Sequence, residues 1–197
     1  VMRWLYSEAT MYNHSDRAST ALAIGKKGLL CARNQDEIKW RGKFCHVIGN
    51  SHYYLSQYDD AYDQFYLALG FFTQSNFEKG RAIILSSLAV IKSKLKDYNA
   101  AISFGTEAYH SLLKTGDTLS GVTTLQNIGS FFTEINQPDS AVIYEKNALS
   151  IAQRLKLGEA YKAYSYWYIA EAFIIEERVD SIQKYANLSL NIAREAN

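Results

Sequence analysis

Apolar residues recur every three or four positions along most of this 197-residue chain, and the same pattern returns at a fixed interval. "QYDDAYDQFYLAL" (57–69), "DYNAAISFGTEAY" (97–109) and "QPDSAVIYEKNAL" (137–149) can be laid beneath one another. Ala61, Ala101 and Ala141 then coincide at intervals of 40, and so do Ala68, Ala108 and Ala148. A fourth copy, "RVDSIQKYANLSL" (178–190), follows 41 residues on, with Ile182 and Ser189 at the alanine places. "HSDRASTALAIGK" (14–26) is a degenerate earlier copy, carrying Ala18 and Gly25 there. The segments ahead of these copies repeat too. "CHVIGNSH" (45–52), "LSSLAVIK" (85–92), "LQNIGSFF" (125–132) and "YWYIAEAF" (166–173) each place an aliphatic residue three after a large one, then Gly or Ala. Spacings of three and four mark one helical face, and the small residue marks where a neighbouring helix comes too close for a side chain.

The pattern predicts helices over 1–12, 15–33, 36–56, 58–75, 78–95, 97–115, 118–136, 138–155, 158–177 and 179–195. "TGDTLSG" (115–121) and "LKLGEA" (155–160) supply turn residues between pairs. Pro138, the single proline, falls in the first turn of a helix, where its missing N–H costs nothing and its fixed φ assists initiation. Gly49, Ala89, Gly129 and Ala170 are expected to be buried, each against the helix that follows. An unrelated helical bundle would share the periodicity, but small residues at a fixed interval favour stacked hairpins.

Leu125-x₂-Ile128-Gly129-x₂-Phe132 followed by the Ala61-x₃-Phe65 type of second half resembles the tetratricopeptide repeat (TPR). The likeness covers residues 36–197 and, more weakly, 1–35. It implies an all-α fold: a right-handed superhelical array of antiparallel helix hairpins, a TPR-like α-solenoid of about four to five repeats, with first helices lining a concave side. Residues 1–197 read as a single repeat domain, with 1–35 a partial repeat and 36–77, 78–117, 118–157 and 158–197 the others. The closing proline of the TPR pattern is missing from every copy, so the second helix is expected to run on by one or two turns. Val1-Met2 is not a natural start and no polar cap is evident at 188–193, which reads as a piece of a longer protein.

Composition narrows the function. With 48% hydrophobic residues, 21% charged and a net charge of +1, the chain lacks the basic excess that nucleic-acid binding favours. No apolar run approaches a bilayer-spanning length, so neither nucleic acid nor membrane insertion is expected of this segment. Cys31 and Cys45 cannot form a disulfide framework and read as small buried hydrophobes. Cys45, His46 and His52 hint at a metal, but helical spacing turns His46 about 100° from the other two, and no fourth ligand is evident. Asp59, Asp60 and Asp63 lack the glycine and spacing of a calcium loop. "AIGKKG" (23–28) lacks the phosphate-loop pattern. No catalytic residues, metal or cofactor are therefore assigned, and the chain reads as non-enzymatic.

The first-helix face opposite the small residues is the candidate binding surface. It carries Lys43, His46, Asn50, Tyr53 and Tyr54, then Gln126 and Thr133, and finally Tyr164, Trp167 and Glu171. Aromatic anchors interleaved with adaptable polar groups suit a protein or peptide ligand held in the groove. The two-carboxylate clamp of co-chaperone TPRs is not reproduced. Asn50 occupies one clamp place, but His46, Ser87, Thr123 and Asn127 stand where cations and an asparagine would be needed, removing the charge a carboxylate requires. The resemblance points to the sensory or regulatory part of a bacterial signalling protein, a histidine kinase or transcriptional regulator. A structural scaffold and a peptide-responsive regulator assisting phosphatase chemistry are the alternatives. Large apolar residues on nearly every side of 158–177 further predict self-association through the C-terminal repeat.

Overall fold

The computed structural model describes residues 1–13, 17–32 and 37–195. Ten helices are found there: α1 (Met2–Asn13), α2 (Ala18–Cys31), α3 (Ile38–Tyr54), α4 (Tyr58–Gln74), α5 (Glu78–Lys94), α6 (Tyr98–Lys114), α7 (Thr118–Glu134), α8 (Pro138–Arg154), α9 (Glu159–Ile175) and α10 (Val179–Glu195). No strand occurs among the described residues. The first residues expected in the helices beginning at 15 and 36 lie outside them.

From α3 onward every helix has 17 residues. The extra length of the 40-residue period is thus shared equally by both helices of a hairpin, rather than added to the second as expected. The stops explain this. Ser56, Asn76, Lys96, Asn136, Lys156 and Glu177 take φ between 50° and 61°, and Gly116 takes 73°. After α3, the Ser56 N–H donates to the Tyr53 carbonyl and the Gln57 N–H to that of His52. This Schellman pair satisfies carbonyls that the helix end leaves open. The same pair closes α7, from Asn136 to Thr133 and Gln137 to Phe132. Only one of these left-handed positions is glycine, and the helices that end at the other six were predicted a residue or two too long.

Starts are more varied. Asp97 and Asp117 cap α6 and α7, accepting from the N–H groups of Ala100 and Ser120. Such caps contribute about 1 kcal/mol each. Pro138 stands at the first position of α8, as expected.

The helices pack as two compact units, Val1–Lys96 and Asp97–Asn197. In unit 1, consecutive helices pair from α1 to α5, and the first helices also touch, α1 on α3 and α3 on α5. Phe44, Ile48, Phe65, Ile84, Leu85, Leu88 and Ile91 are fully or almost fully buried, and each apolar side chain of this size stabilises by about 1.5–3 kcal/mol on burial. In unit 2, α6 through α10 pair in order and α7 touches α9. Ala141, Ile169, Ala172 and Phe173 form one apolar cluster, and Val122, Leu125, Ala148 and Ala152 another.

The small-residue expectation holds. Gly49, Ala89, Gly129 and Ala170 are all buried, and the partners of the two glycines lie on the following helix. A Cβ at Gly49 would meet the Phe65 ring at 2.6 Å, and one at Gly129 would meet Glu145 Oε1 at 2.6 Å. One cysteine departs from expectation. Cys45 is buried, and burial pushes its thiol up to about 11, whereas Cys31 is exposed. Cys31 sits in the last turn of α2, on the face that its helix leaves to solvent.

Candidate functional site

Unit 1 opens a pocket of about 220 Å³ on its first-helix side. Its floor is apolar, from Phe65, Val90 and Ile91, and its polar groups are Thr10, Asn13, Asn50 and Ser87. Tyr53 and Tyr54 form the aromatic wall, their rings edge-on at 5.5 Å. Helix α3 brings Asn50, Tyr53 and Tyr54 together because they lie three or four residues apart. The Asn50 side-chain nitrogen lies 3.2 Å from His46 Nε2. Burial lowers the His46 pKa to about 4, so the ring is neutral and its Nε2 accepts from the Asn50 amide, fixing that amide's orientation. The His46 ring also lies 5.9 Å from that of Phe65.

Lys43 stands apart from this pocket. Its ammonium lies 4.3 Å from the Trp40 ring centroid and 5.2 Å from that of Tyr6. Burial, then Lys39 and Arg3, lower its pKa. Asn13 was missed as a lining residue. It is buried, donates to the Val47 carbonyl at 3.0 Å and accepts from the Ser51 hydroxyl at 2.7 Å. A lone Asn at the end of a helix offers no periodic signal, so only the packing of α1 on α3 reveals it.

In unit 2 the seam between α7 and α9 forms a second pocket, of about 370 Å³. Thr123, Gln126 and Asn127 line it from α7, and Ala160, Tyr161, Tyr164 and Tyr168 from α9. Gln126 requires correction. It was expected to be solvent-accessible, yet it is 5% exposed. Its amide donates to the Tyr161 carbonyl and to Ser165 Oγ, both at 2.9 Å. The amide thus ties α7 to α9, and only one edge of it reaches the pocket. Thr133 is half-buried and donates to the Gly129 carbonyl. Tyr164 and Trp167 are exposed, and they line a further pocket of about 280 Å³ with Ser189, Ile192 and Ala193 of α10. The Trp167 ring stacks on Tyr168 at 5.8 Å. Glu171 is half-buried, its pKa raised by burial and then by Glu134.

The first-helix faces differ in charge. Helices α3 and α5 of unit 1 carry seven Lys and Arg against the single acid Glu78, whereas α7 and α9 of unit 2 carry Lys162 against Glu134, Glu159 and Glu171. Over the whole units, 13 Lys and Arg stand against 8 Asp and Glu in residues 1–96, and 8 against 12 in 97–197. A net charge of +1 conceals this division. Among the described residues, no group of three or more His, Cys, Asp and Glu could hold a metal ion, and no helix is long and apolar enough to cross a membrane.

The fold is that of TPR-like helical repeat arrays. BtubC (BKLC) from P. vanneervenii superposes with a TM-score of 0.81 at 18% identity, over 95% of this chain and 77% of its own. A putative kinesin light chain of TPR-like repeats from Podosopora anserina gives 0.81 at 12% identity, over 98% and 95%. A Rap protein complexed with competence and sporulation factor gives 0.77 at 13%, over 99% of this chain but 64% of its own. No protein-family model matches the sequence, and no curated protein sequence matches it.

Proposed function

We propose that this chain is a protein- or peptide-binding repeat module, the sensory or regulatory part of a bacterial signalling protein such as a histidine kinase or transcriptional regulator. The unit 1 pocket carries this reading. An extended peptide presents alternating N–H and C=O groups that need neutral partners of both kinds. The Asn50 amide, the Ser87 hydroxyl and the hydroxyls of Tyr53 and Tyr54 supply them above an apolar floor of Phe65, Val90 and Ile91. The His46 contact holds Asn50 in place before a ligand arrives, which lowers the entropy lost on binding. The Rap protein complexed with competence and sporulation factor, alike in fold, supports a binding role and the variant reading of a peptide-responsive regulator assisting phosphatase chemistry.

A scaffold or self-association role is the second reading. Tyr164, Trp167 and Ile174 of α9 are more than half exposed, and an apolar surface of that kind suits contact with another protein or another copy. The test is an Asn50→Ala, Tyr53→Ala double variant. Partners captured by the wild-type protein and identified by mass spectrometry should be lost, with helical circular dichroism and melting temperature unchanged. Undiminished capture would overturn the assignment of the unit 1 pocket. Concentration-independent monomers in sedimentation would exclude self-association.

A further inference from the structure

Gln126 is the most deeply buried residue lining the α7–α9 pocket, and its hydrogen bonds leave it half used. It is 5% exposed, and its amide nitrogen donates to the Tyr161 carbonyl and to Ser165 Oγ. A backbone carbonyl only accepts, so the nitrogen must face it and the amide cannot be turned over. Both N–H groups are therefore taken by α9. Its Oε1 accepts from no group among the described residues, and it is not sealed from solvent as the Glu145 oxygens are. The opening it reaches is the pocket its side chain lines. The pocket thus has one fixed acceptor at its base.

Asn127, the next residue of α7, lines the same pocket. It is half-buried, and no described group bonds its amide. A free donor therefore stands beside the fixed acceptor. The walls are aromatic. Tyr161 packs against the cluster of Val122, Leu125, Ala148 and Ala152. Tyr168 lies along Trp167 with the two ring planes 10° apart, and Tyr164 is exposed at the rim. No Lys, Arg, His, Asp or Glu lines the pocket. Lys162, next to Tyr161 in sequence, is paired with Glu159.

We infer that this pocket receives the side-chain carboxamide of a glutamine in a partner peptide, donating to Gln126 Oε1 and accepting from the Asn127 amide. The inference rests on the peptide-binding role proposed above and names what a second contact reads. A carboxamide is neutral and flat, and it both donates and accepts. It matches one fixed acceptor, one free donor and no charge. A carboxylate brings no hydrogen to Gln126 Oε1 and meets no cation among the lining residues. An apolar side chain of similar length excludes water from that oxygen and leaves it unpaired. Walls held by the core and by Trp167 lower the entropy lost on binding. About 370 Å³ holds a glutamine side chain together with waters.

Three capped tripeptides that differ at the head of one side chain supply the test. They are acetyl-Gly-Gln-Gly-amide and its counterparts with Glu or Met at the centre. Each is titrated into the whole chain at pH 7, and NMR follows the side-chain amides of Gln126 and Asn127. We expect a saturable shift of both with the glutamine peptide. The methionine peptide should bind about fivefold more weakly or worse, and the glutamate peptide should cause no shift. Asn127→Ala removes a group that bonds nothing in the free protein. It should keep the melting temperature and weaken the glutamine peptide about fivefold. Tyr164→Ala, at the rim, should weaken it by a smaller factor.

Equal affinity for the glutamine and methionine peptides would overturn the inference, because the fixed acceptor would then be satisfied by water alone. Wild-type affinity in Asn127→Ala would also overturn it, as would shifts found at Asn50 and absent from Gln126 and Asn127. Partner capture that is sensitive to Asn50 and Tyr53, found together with no glutamine-specific binding, would sink this inference alone. Glutamine-specific binding as described, without Asn50-sensitive capture, would instead sink the unit 1 assignment.

Discussion

The joint beside Gly49 in unit 1 and the joint beside Gly129 in unit 2 occupy the same place in the repeat. In the first, the Phe65 ring fills the space over the glycine and His46 packs against it. In the second, Glu145 stands where Phe65 did and Gln126 where His46 did, each at an interval of 80. Both fillers are fully or almost fully buried. The backbone thus accepts an apolar or a polar plug at one position, because the αα-hairpin is held by its alanines, its Schellman stops and the rest of its core. What changes is the way each joint answers to protons.

The opposite pH responses of the two joints give the largest expected effect. Glu145 is raised from 4.5 to about 9 by burial, so the folded state holds a proton that the unfolded state has lost between those values. Stability contributed by this joint is highest below pH 4.5 and falls as pH rises to about 9, by up to ~4 kcal/mol between pH 5.5 and 8.5. His46 is lowered from 6.5 to about 4. Its contribution is intact above 6.5 and is lost as pH falls through that window, by at most ~3 kcal/mol, less what its partial exposure screens. Urea denaturation across pH 4–9, read with Glu145→Gln and His46→Gln, should show each variant losing one flank of the dependence. A basic flank that survives Glu145→Gln would refute the assignment.

Glycine substitution separates the two joints next. At Gly49 a new Cβ meets a rigid ring, whereas at Gly129 it meets the end of a flexible side chain. Gly49→Leu should destabilise by about 2–3 kcal/mol and Gly129→Leu by about 1–2 kcal/mol, measured by thermal melting. Equal costs would mean that Glu145 is as immovable as Phe65.

Making the second joint apolar should help the fold. Glu145→Met conserves volume and removes a buried carboxyl whose one polar neighbour on α9 is the Ser165 hydroxyl, and should stabilise unit 2 by about 1–2 kcal/mol at pH 7. A loss of stability would reveal a partner for Glu145 in the folded protein. The smallest effect is expected for Gly129→Ala. Its gain in helix propensity, about 1 kcal/mol, is nearly offset by the shift forced on Glu145, leaving a change within about 0.5 kcal/mol.

Much of this was legible in the residues. Ala61, Ala101 and Ala141, with Gly49 and Gly129, announce hairpins that pack closely, because a helix face can approach another only where side chains are small. Asn50, Tyr53 and Tyr54 could be grouped from spacing, since residues three and four apart share a face. Helix ends were less legible. A residue such as Ser56, Lys96 or Glu177 accepts a left-handed conformation only when the hydrogen bonds of the whole turn compensate it, and no composition rule registers that.

Periodicity alone therefore determined the helices, their pairing and the glycine contacts, because each follows from local geometry and volume. Tertiary structure alone decided the fate of the polar residues. Gln126 shows the same helical phase as His46, yet it is consumed by Ser165 and the Tyr161 carbonyl. Glu145 lies in a repeat segment whose spacing does not set it apart, and it is sealed against Gly129. Burial of a polar group depends on what a neighbouring helix places opposite it, and for Gln126 that neighbour lies 35 to 39 residues away in sequence, beyond the reach of any local pattern.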